Sequence, residues 1–187
     1  NLTIAREVNP LTKLPGNVLI SRRLSDAMRA ADSFHYFIYF DFDYFKPFND
    51  RFGFRQGDRA ILMFSEMLSK EFQDSFVGHI GGDDFFVGMD SARDVAENIR
   101  ARVIALQERF EGAVMVFFSG DEVRAGGYTA RDRNGCERVI PLLKVTAAMI
   151  VKKPGLPEGR SDEITRILAR AKSDAKRNNA RIVCISL

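Results

Sequence analysis

An almost unbroken aromatic and β-branched run, Phe34 to Phe40, stands out against more regularly spaced apolar positions on either side of it. A run of that kind predicts a central strand covered on both faces. Ahead of it, Leu19, Ile20, Leu24, Ala27 and Met28 recur at helical spacing, which predicts a packing helix over Val18 to Ala31 after the turn-rich stretch Asn9 to Asn17. Behind it, Ala60, Met63, Phe64, Met67, Leu68 and Phe72 step along one face of a helix over Arg55 to Phe72. Two short apolar runs then flank Gly81-Gly82-Asp83-Asp84, the pattern of a β-hairpin over Phe76 to Met89.

Ser91 with Asp94 three residues on has the spacing of a capping box. The helix it predicts buries Val95, Ile99, Val103, Leu106 and Phe110. Ala113 to Phe118 reads as a strand. Ser119 to Pro141 is the least regular part, and its Asn134-Gly135 pair predicts an extended β excursion. Leu142 to Val151 reads as a core strand ended by Pro154 to Gly159. Ser161-Asp162-Glu163 opens a last helix with Ile164, Ile167, Leu168, Ala171 and Ala175 inward, and Arg181 to Leu187 closes the sheet. This order predicts an α+β fold, a central mixed β-sheet flanked by helices.

With 187 residues, 45% of them hydrophobic and 28% charged, the chain suits one globular domain spanning residues 1–187. No apolar run approaches the roughly 20 residues that cross a bilayer, and no signal-peptide pattern opens the sequence, so a soluble cytoplasmic domain without direct membrane insertion is expected. The first residue is Asn1 rather than Met, which suggests a domain excised from a longer protein. Two cysteines make neither a disulfide framework nor a metal set: Cys136 reads as a free thiol and Cys184 as a core residue. His35, without a second histidine at ligand spacing, reads as a packed residue. The formal charge is +3, and the excess lies near the end, where Arg170, Lys172, Lys176, Arg177 and Arg181 face only Asp174. Such a run is a solvated helix face or a phosphate-binding one.

Chemistry concentrates at two places. Gly81 and Gly82 have no side chains and tolerate positive φ, so a large ligand fits against the backbone beside Asp83 and Asp84. Taken alone, the tetrapeptide is equally a solvated turn. Asp41 and Asp43 follow directly on the aromatic strand, however, at the strand end where α/β sheets place ligands. Carboxylates a few ångströms apart repel by roughly 4 kcal/mol per pair at an effective dielectric near 20, so converging them calls for a cation. Asp58, after Gly57 at the start of a helix, either serves that helix's first turn or points into a site.

Several motifs in the right order make the chain resemble the GGDEF domains, the diguanylate cyclase family with a nucleotidyl-cyclase-like palm fold and an active-site β-hairpin. Asn9 to Pro15 resembles the motif DPLTGLPN. Asp41-Phe42-Asp43-Tyr44-Phe45-Lys46 with Asn49-Asp50, Gly53 and Gly57-Asp58 resembles D-x-D-x-F-K-x-x-N-D-x-x-G-H-x-x-G-D, and Gly81 to Phe85 is the signature as GGDDF. The wording around Lys46 to Asp50 and Gly78 to Phe85 is similar to the subgroup that follows EAL and CBS domains, which implies attached EAL/CBS or sensory domains. The resemblance implies condensation of two GTP, one on each subunit of a homodimer, into cyclic di-GMP with release of pyrophosphate, and no nucleic-acid partner. It implies Mg²⁺ (or Mn²⁺) held by Asp41, Asp83 and the backbone of Phe42, with Asp84 assisting a second metal. Asp83 would accept a proton, Lys46 would stabilise phosphate charge, Asn49 and Asp58 would read guanine, Gly81 and Gly82 would make room for the nucleotide, and Lys176 matches the family's C-terminal lysine.

The sequence departs from the family at named positions. Asp84 stands where Glu is usual, Phe54 where His is usual, and Ser173 where Tyr is usual. The arginine four residues after Lys176 is Ala180, which leaves Arg177 or Arg181 as substitutes. The product-inhibition motif R-x-x-D would occupy Phe72 to Ser75, with Phe72 in place of its arginine and Ser75 in place of its aspartate; these two supply neither guanidinium nor carboxylate, so no feedback through that site is expected. Two other functions compete with an active cyclase. One is a GTP-binding regulatory or dimerisation module, and the other a palm domain of a polymerase or CRISPR-type cyclase.

Overall fold

The structure, a computed structural model, describes residues 7–131, 135–155, 161–177 and 180–187; of Ser161, Asp162 and Lys176 it describes the backbone only. The aromatic run forms β1 (Phe34–Asp43), the middle strand of a five-stranded sheet. Before it comes α1 (Asn17–Arg29). After it come α2 (Phe45–Phe52), α3 (Phe54–Glu71), β2 (Phe76–Gly81), β3 (Asp84–Ser91) and α4 (Ala96–Ala113), which runs on as a 3₁₀ turn over Val114–Phe117. Next are α5 (Gly120–Ala125), β4 (Gly127–Arg131), β5 (Glu137–Pro141), β6 (Lys144–Lys152), α6 (Ser161–Arg177) and β7 (Ile182–Ser186). The sheet order is β2-β3-β1-β6-β7, antiparallel throughout except that β7 lies parallel to β6; β4 and β5 form a separate hairpin. This is the α+β arrangement of a mixed sheet flanked by helices. Among the described residues no helix is long and apolar enough to cross a membrane.

Strand alternation divides β1 between two cores. Tyr36, Ile38, Phe40 and Phe42 face a cluster built with α3 and α4, while Phe37 and, partly buried, Tyr39 face a second built with α1 and α6. The first is dominated by phenylalanine. The Phe64 ring lies 5.6, 5.5, 5.1 and 5.0 Å from those of Phe40, Phe42, Phe85 and Phe110. These contacts tie β1, β3, α3 and α4 together directly beneath the strand ends that carry Asp41 and Asp84.

Several expectations are corrected. Ala113 to Phe118 is not a strand: Phe110, Val114 and Phe118 are buried four residues apart, so the chain keeps turning with a helical period. Ser91 does not open a helix but ends β3. Asp94 accepts from Ala96 N–H at 3.0 Å, and the Tyr36 hydroxyl accepts from Val95 N–H at 2.8 Å while donating to Asp94 at 3.1 Å. A tyrosine from the central strand thus does part of the capping. The capping box lies instead at α5, between Ser119 and Glu122. Cys184 is exposed rather than core, because β7 is an edge strand whose Val183 and Ile185 pack into the second cluster and leave Cys184 pointing the other way. The expected β excursion is β4 and β5, although Asn134 of its turn lies outside the described residues, as do Leu156 to Gly159 of the segment after β6.

Candidate active site

The hairpin turn and the end of β1 meet because of register. Asp41 pairs across the strands with Asp84 on one side and Thr146 on the other. Gly81 and Gly82, at φ 150° and 57°, make the turn a conformation that a side chain resists, and Asp83 leaves it beside them. Carboxylate oxygens of Asp41, Asp83 and Asp84 lie within 4.8 Å of one another. Like charges so placed repel by about 3–4 kcal/mol per pair at an effective dielectric near 20. Burial, and then the neighbouring charge of Asp84, push the Asp83 carboxyl above the usual carboxylate range, although Lys172 and hydrogen bonds from the backbone of Phe42 and of Asp83 itself act the other way. Asp43 is not part of the cluster. Its Oδ2 accepts from the Thr146 hydroxyl at 2.6 Å, and burial raises its pKa.

The cluster contains a cation that sequence reasoning missed. Lys172 Nζ on α6 stands 2.6 Å from Asp41 Oδ1 and 2.9 Å from Asp84 Oδ1, and 4.9 Å from the centroid of the Tyr39 ring. Desolvation and the Asp84 charge drive the Tyr39 phenol far above its ordinary value. The signal was periodicity: Lys172 lies one helical turn after the buried Leu168, on the inward side of a helix whose charges read as solvated.

Two clefts lie at this end of β1, and the first of them includes Asp83 of the cluster. One, of about 530 Å³, is lined by Phe42, Tyr44, Phe45, Lys46, Asn49, Phe54 and Asp83, among others, so it joins the turn carboxylate to Lys46, expected to be catalytic, and Asn49, expected to bind substrate. Tyr44, left-handed at φ 62°, starts the short helix α2 that presents Lys46 and Asn49. Lys46 pairs with Asp50 at 2.8 Å on the surface. Asn49 packs on Gly57, where a Cβ would come within 1.9 Å of its Oδ1, an atom that is buried without a hydrogen-bond partner among the described residues. Asp58 does not line this cleft but stands exposed on α3, next to Gly57. A second cleft, of about 670 Å³, holds Asp43, Tyr44, Lys144, Thr146, Arg177, Ala180 and Arg181. Both substitute arginines reach it, with Lys144 as a further cation that the sequence did not signal. The side chain of Lys176 lies outside the described residues.

Replacing Gly57 by Ala drives a methyl group into Asn49. Ala favours a helix over Gly by roughly 1 kcal/mol, while overpacking a buried position costs roughly 1–3 kcal/mol, so the expected result is a folded protein of similar or modestly lower stability that has lost Asn49's position. Its apparent GTP affinity should fall about tenfold, the scale of one lost hydrogen bond, as measured by calorimetric titration.

The turn is also held from below. His79 is buried, its ring stacked on Phe85 at 4.4 Å. Its Nε2 lies 2.9 Å from the Gly82 carbonyl and its Nδ1 3.0 Å from Thr12 Oγ1. A carbonyl only accepts, so Nε2 carries the proton and the Thr12 hydroxyl donates to Nδ1. The loop Asn9–Pro15, closed by Asn9 Oδ1 accepting from the N–H groups of Leu11 and Thr12, is thereby tied to the glycine turn. Burial holds the His79 pKa below 6.5, partly opposed by the Gly82 carbonyl and Asp84; His35 is lowered too, by burial and then by Lys152. The folded state therefore binds these protons less readily than the unfolded chain. Their contribution to stability is present above pH 6.5 and is lost as pH falls through the lowered values. The urea midpoint should drop between about pH 7 and about pH 5.5. The drop should shrink in His79→Gln, which still donates to Gly82 and accepts from Thr12.

The position of the product-inhibition motif is filled differently. Phe72 is fully buried with the Arg102 guanidinium 4.5 Å from its ring centroid, and Arg102 and Arg109 both bind Glu71, at 2.9 and 2.5 Å.

A strand-end carboxylate, a glycine turn and a hairpin on a mostly antiparallel sheet are the marks of a nucleotidyl-cyclase-like palm. The chain belongs to the GGDEF family: the family model described as "Diguanylate cyclase, GGDEF domain" matches residues 7–125. It is 32% identical over 113 residues to the diguanylate cyclase DgcP of Pseudomonas aeruginosa, covering 56% of this chain and 17% of that protein. It is 31% identical over 118 residues to the diguanylate cyclase TpbB of the same organism, covering 56% of this chain and 27% of TpbB. The chain thus spans about a quarter or less of the length of these curated relatives. Among solved structures, it superposes on the GGDEF domain of DgcB from Caulobacter crescentus in complex with c-di-GMP with a TM-score of 0.68 at 17% identity, covering 95% of each chain. GGDEF cyclases use divalent metal ions, and an acidic cluster of Asp41, Asp83 and Asp84 is present in this chain.

Proposed function

We infer that this chain is the catalytic domain of a diguanylate cyclase, joining two GTP into cyclic di-GMP with release of pyrophosphate. The observation that carries the reading is the convergence of Asp41, Asp83 and Asp84 within 4.8 Å at one end of a cleft lined by Lys46 and Asn49. Three carboxylates are a hard-oxygen donor set and suit Mg²⁺ or Mn²⁺, held by Asp41, Asp83 and the backbone carbonyl of Phe42, with Asp84 beside them. When bound, the ion supplies charge neutralisation of the triphosphate and acidification of the attacking 3′-hydroxyl.

The chain's own residues do the rest. Asp83, its proton affinity raised by burial, takes the 3′-hydroxyl proton. Asn49 hydrogen-bonds the guanine edge; Asp58, exposed on α3 outside the cleft, reaches the base only if the nucleotide extends past the cleft's lining, and Gly81 and Gly82 leave the nucleotide room against the protein backbone. Lys46 holds phosphate charge, and Lys144, Arg177 and Arg181 of the second cleft, with Lys176 on the same helix end, extend that positive surface in place of the arginine missing at Ala180. Each GTP occupies one subunit, so the active form is a homodimer, working in the cytoplasm as part of a longer protein with EAL/CBS or sensory domains. Product does not inhibit it through Phe72 and Ser75.

The test is incubation of the chain with GTP and Mg²⁺ at high protein concentration, with cyclic di-GMP resolved by chromatography. Product is expected, and ATP in place of GTP is expected to give none. A second reading, a GTP-binding regulatory module without turnover, is favoured by Ala180 and by the engagement of Asp41 and Asp84 with Lys172; GTP binding without product would establish it.

A further inference from the structure

The last helix does more than cover the sheet, because it carries a positive charge into the acidic cluster. Ile164, Leu168 and Ala171 bury α6 against the second core, and that register brings Lys172 over the end of β1. Its ammonium group touches one oxygen of Asp41 and one of Asp84 and packs over the Tyr39 ring, a cation–π contact that further fixes it. Three-quarters of its side chain is withdrawn from solvent, unlike the freely exposed Arg177 of the same helix.

We propose that Lys172 is a resident cation of the metal centre, standing between Asp41 and Asp84 where a second divalent ion would stand, so that the centre takes up one divalent ion rather than two. The proposal rests on the reading of Asp41, Asp83 and Asp84 as the metal ligands. In two-ion sites the ions sit roughly 3.5–4 Å apart and are clamped by shared carboxylates. Here the pair that would be shared, Asp41 and Asp84, is already bridged by Lys172 at 2.6 and 2.9 Å. Charge agrees with geometry. Three carboxylates and one ammonium leave two negative charges, which one divalent ion neutralises, whereas a second ion would be forced against both the first and the ammonium. The short side chain of Asp84 fits the same arrangement, since its carboxylate stays beside β1 and within the lysine's reach.

The experiment counts Mn²⁺ bound by the 187-residue chain without nucleotide, using electron paramagnetic resonance of the free ion, in the wild type, Lys172→Met and Lys172→Arg. The wild type and Lys172→Arg are expected to bind one Mn²⁺. Lys172→Met is expected to bind a second, or to bind the first at least about tenfold more tightly, because a unit positive charge beside the ligands is gone. Lys172→Gln replaces Met if the Met variant does not fold, as judged by thermal melting. Two ions in the wild type would overturn the proposal, and so would equal number and affinity in the wild type and the uncharged variant. Failure of both proteins to bind Mn²⁺ would overturn the metal-centre reading with it, an outcome distinct from equal binding by both.

Discussion

Asp83→Asn should lower cyclic di-GMP formation on the order of a thousandfold or more, the scale expected when several kcal/mol of charge stabilisation leave the reacting centre. The same substitution should leave melting temperature unchanged or raise it. Asn has the same shape as Asp and fits the turn after Gly82, while the ionised carboxylate it replaces is penalised by burial and repelled by Asp84. Lost activity with retained or improved stability is the mark of a residue kept for chemistry rather than for folding. Parallel turnover assays and thermal melts check it. Activity within a few fold of the wild type would remove Asp83 from the mechanism, and a collapsed melting temperature would make it structural.

Phe64→Ala should act in the opposite sense, through the fold. Phe64 is fully buried and meets Phe40, Phe42, Phe85 and Phe110, so it joins two strands and two helices at one point. Truncating a phenylalanine in such a place typically costs about 3–5 kcal/mol in lost transfer energy and residual cavity. Urea unfolding should show that loss. Because Phe42 and Phe85 flank Asp41 and Asp84 in sequence, GTP turnover should fall even under conditions where the variant remains folded. A loss below about 1 kcal/mol would mean that the aromatic cluster repacks freely and does not fix the strand ends.

Elements with long, consistent patterns were legible from the sequence: the buried strand β1, the glycine hairpin, α3 and α6. Shorter ones were not. α2 spans eight residues with Pro47 in its first turn, where proline is tolerated but no sequence period has room to develop. Val114–Phe117 looked like a strand because its residues are apolar and partly β-branched, while their spacing from Phe110 carried the correct answer. In the site, Asp41, Asp83, Lys46 and Asn49 stood out in the sequence because motif and chemistry coincide, and the structure sets Asp83, Lys46 and Asn49 in the lining of one cleft with Asp41 beside Asp83. Lys172 and His79 were not readable in the same way. A lysine among five basic residues looks like a solvated face until its helical register is compared with Leu168 and Ala171, and a lone histidine in a strand reveals nothing until tertiary structure sets Thr12 on one side of it and Gly82 on the other.

The central claim is that carboxylates from β1 and the hairpin turn share a divalent ion beside a pocket for guanine. It is tested most directly by a crystal structure of the chain with Mn²⁺ and a non-condensable GTP analogue, using anomalous scattering to locate the metal. The account predicts a manganese peak within about 2.0–2.3 Å of carboxylate oxygens of both Asp41 and Asp83, the range for a small hard divalent ion, with the base against Asn49. A peak that touches neither aspartate, or a nucleotide bound away from Asn49, would contradict it.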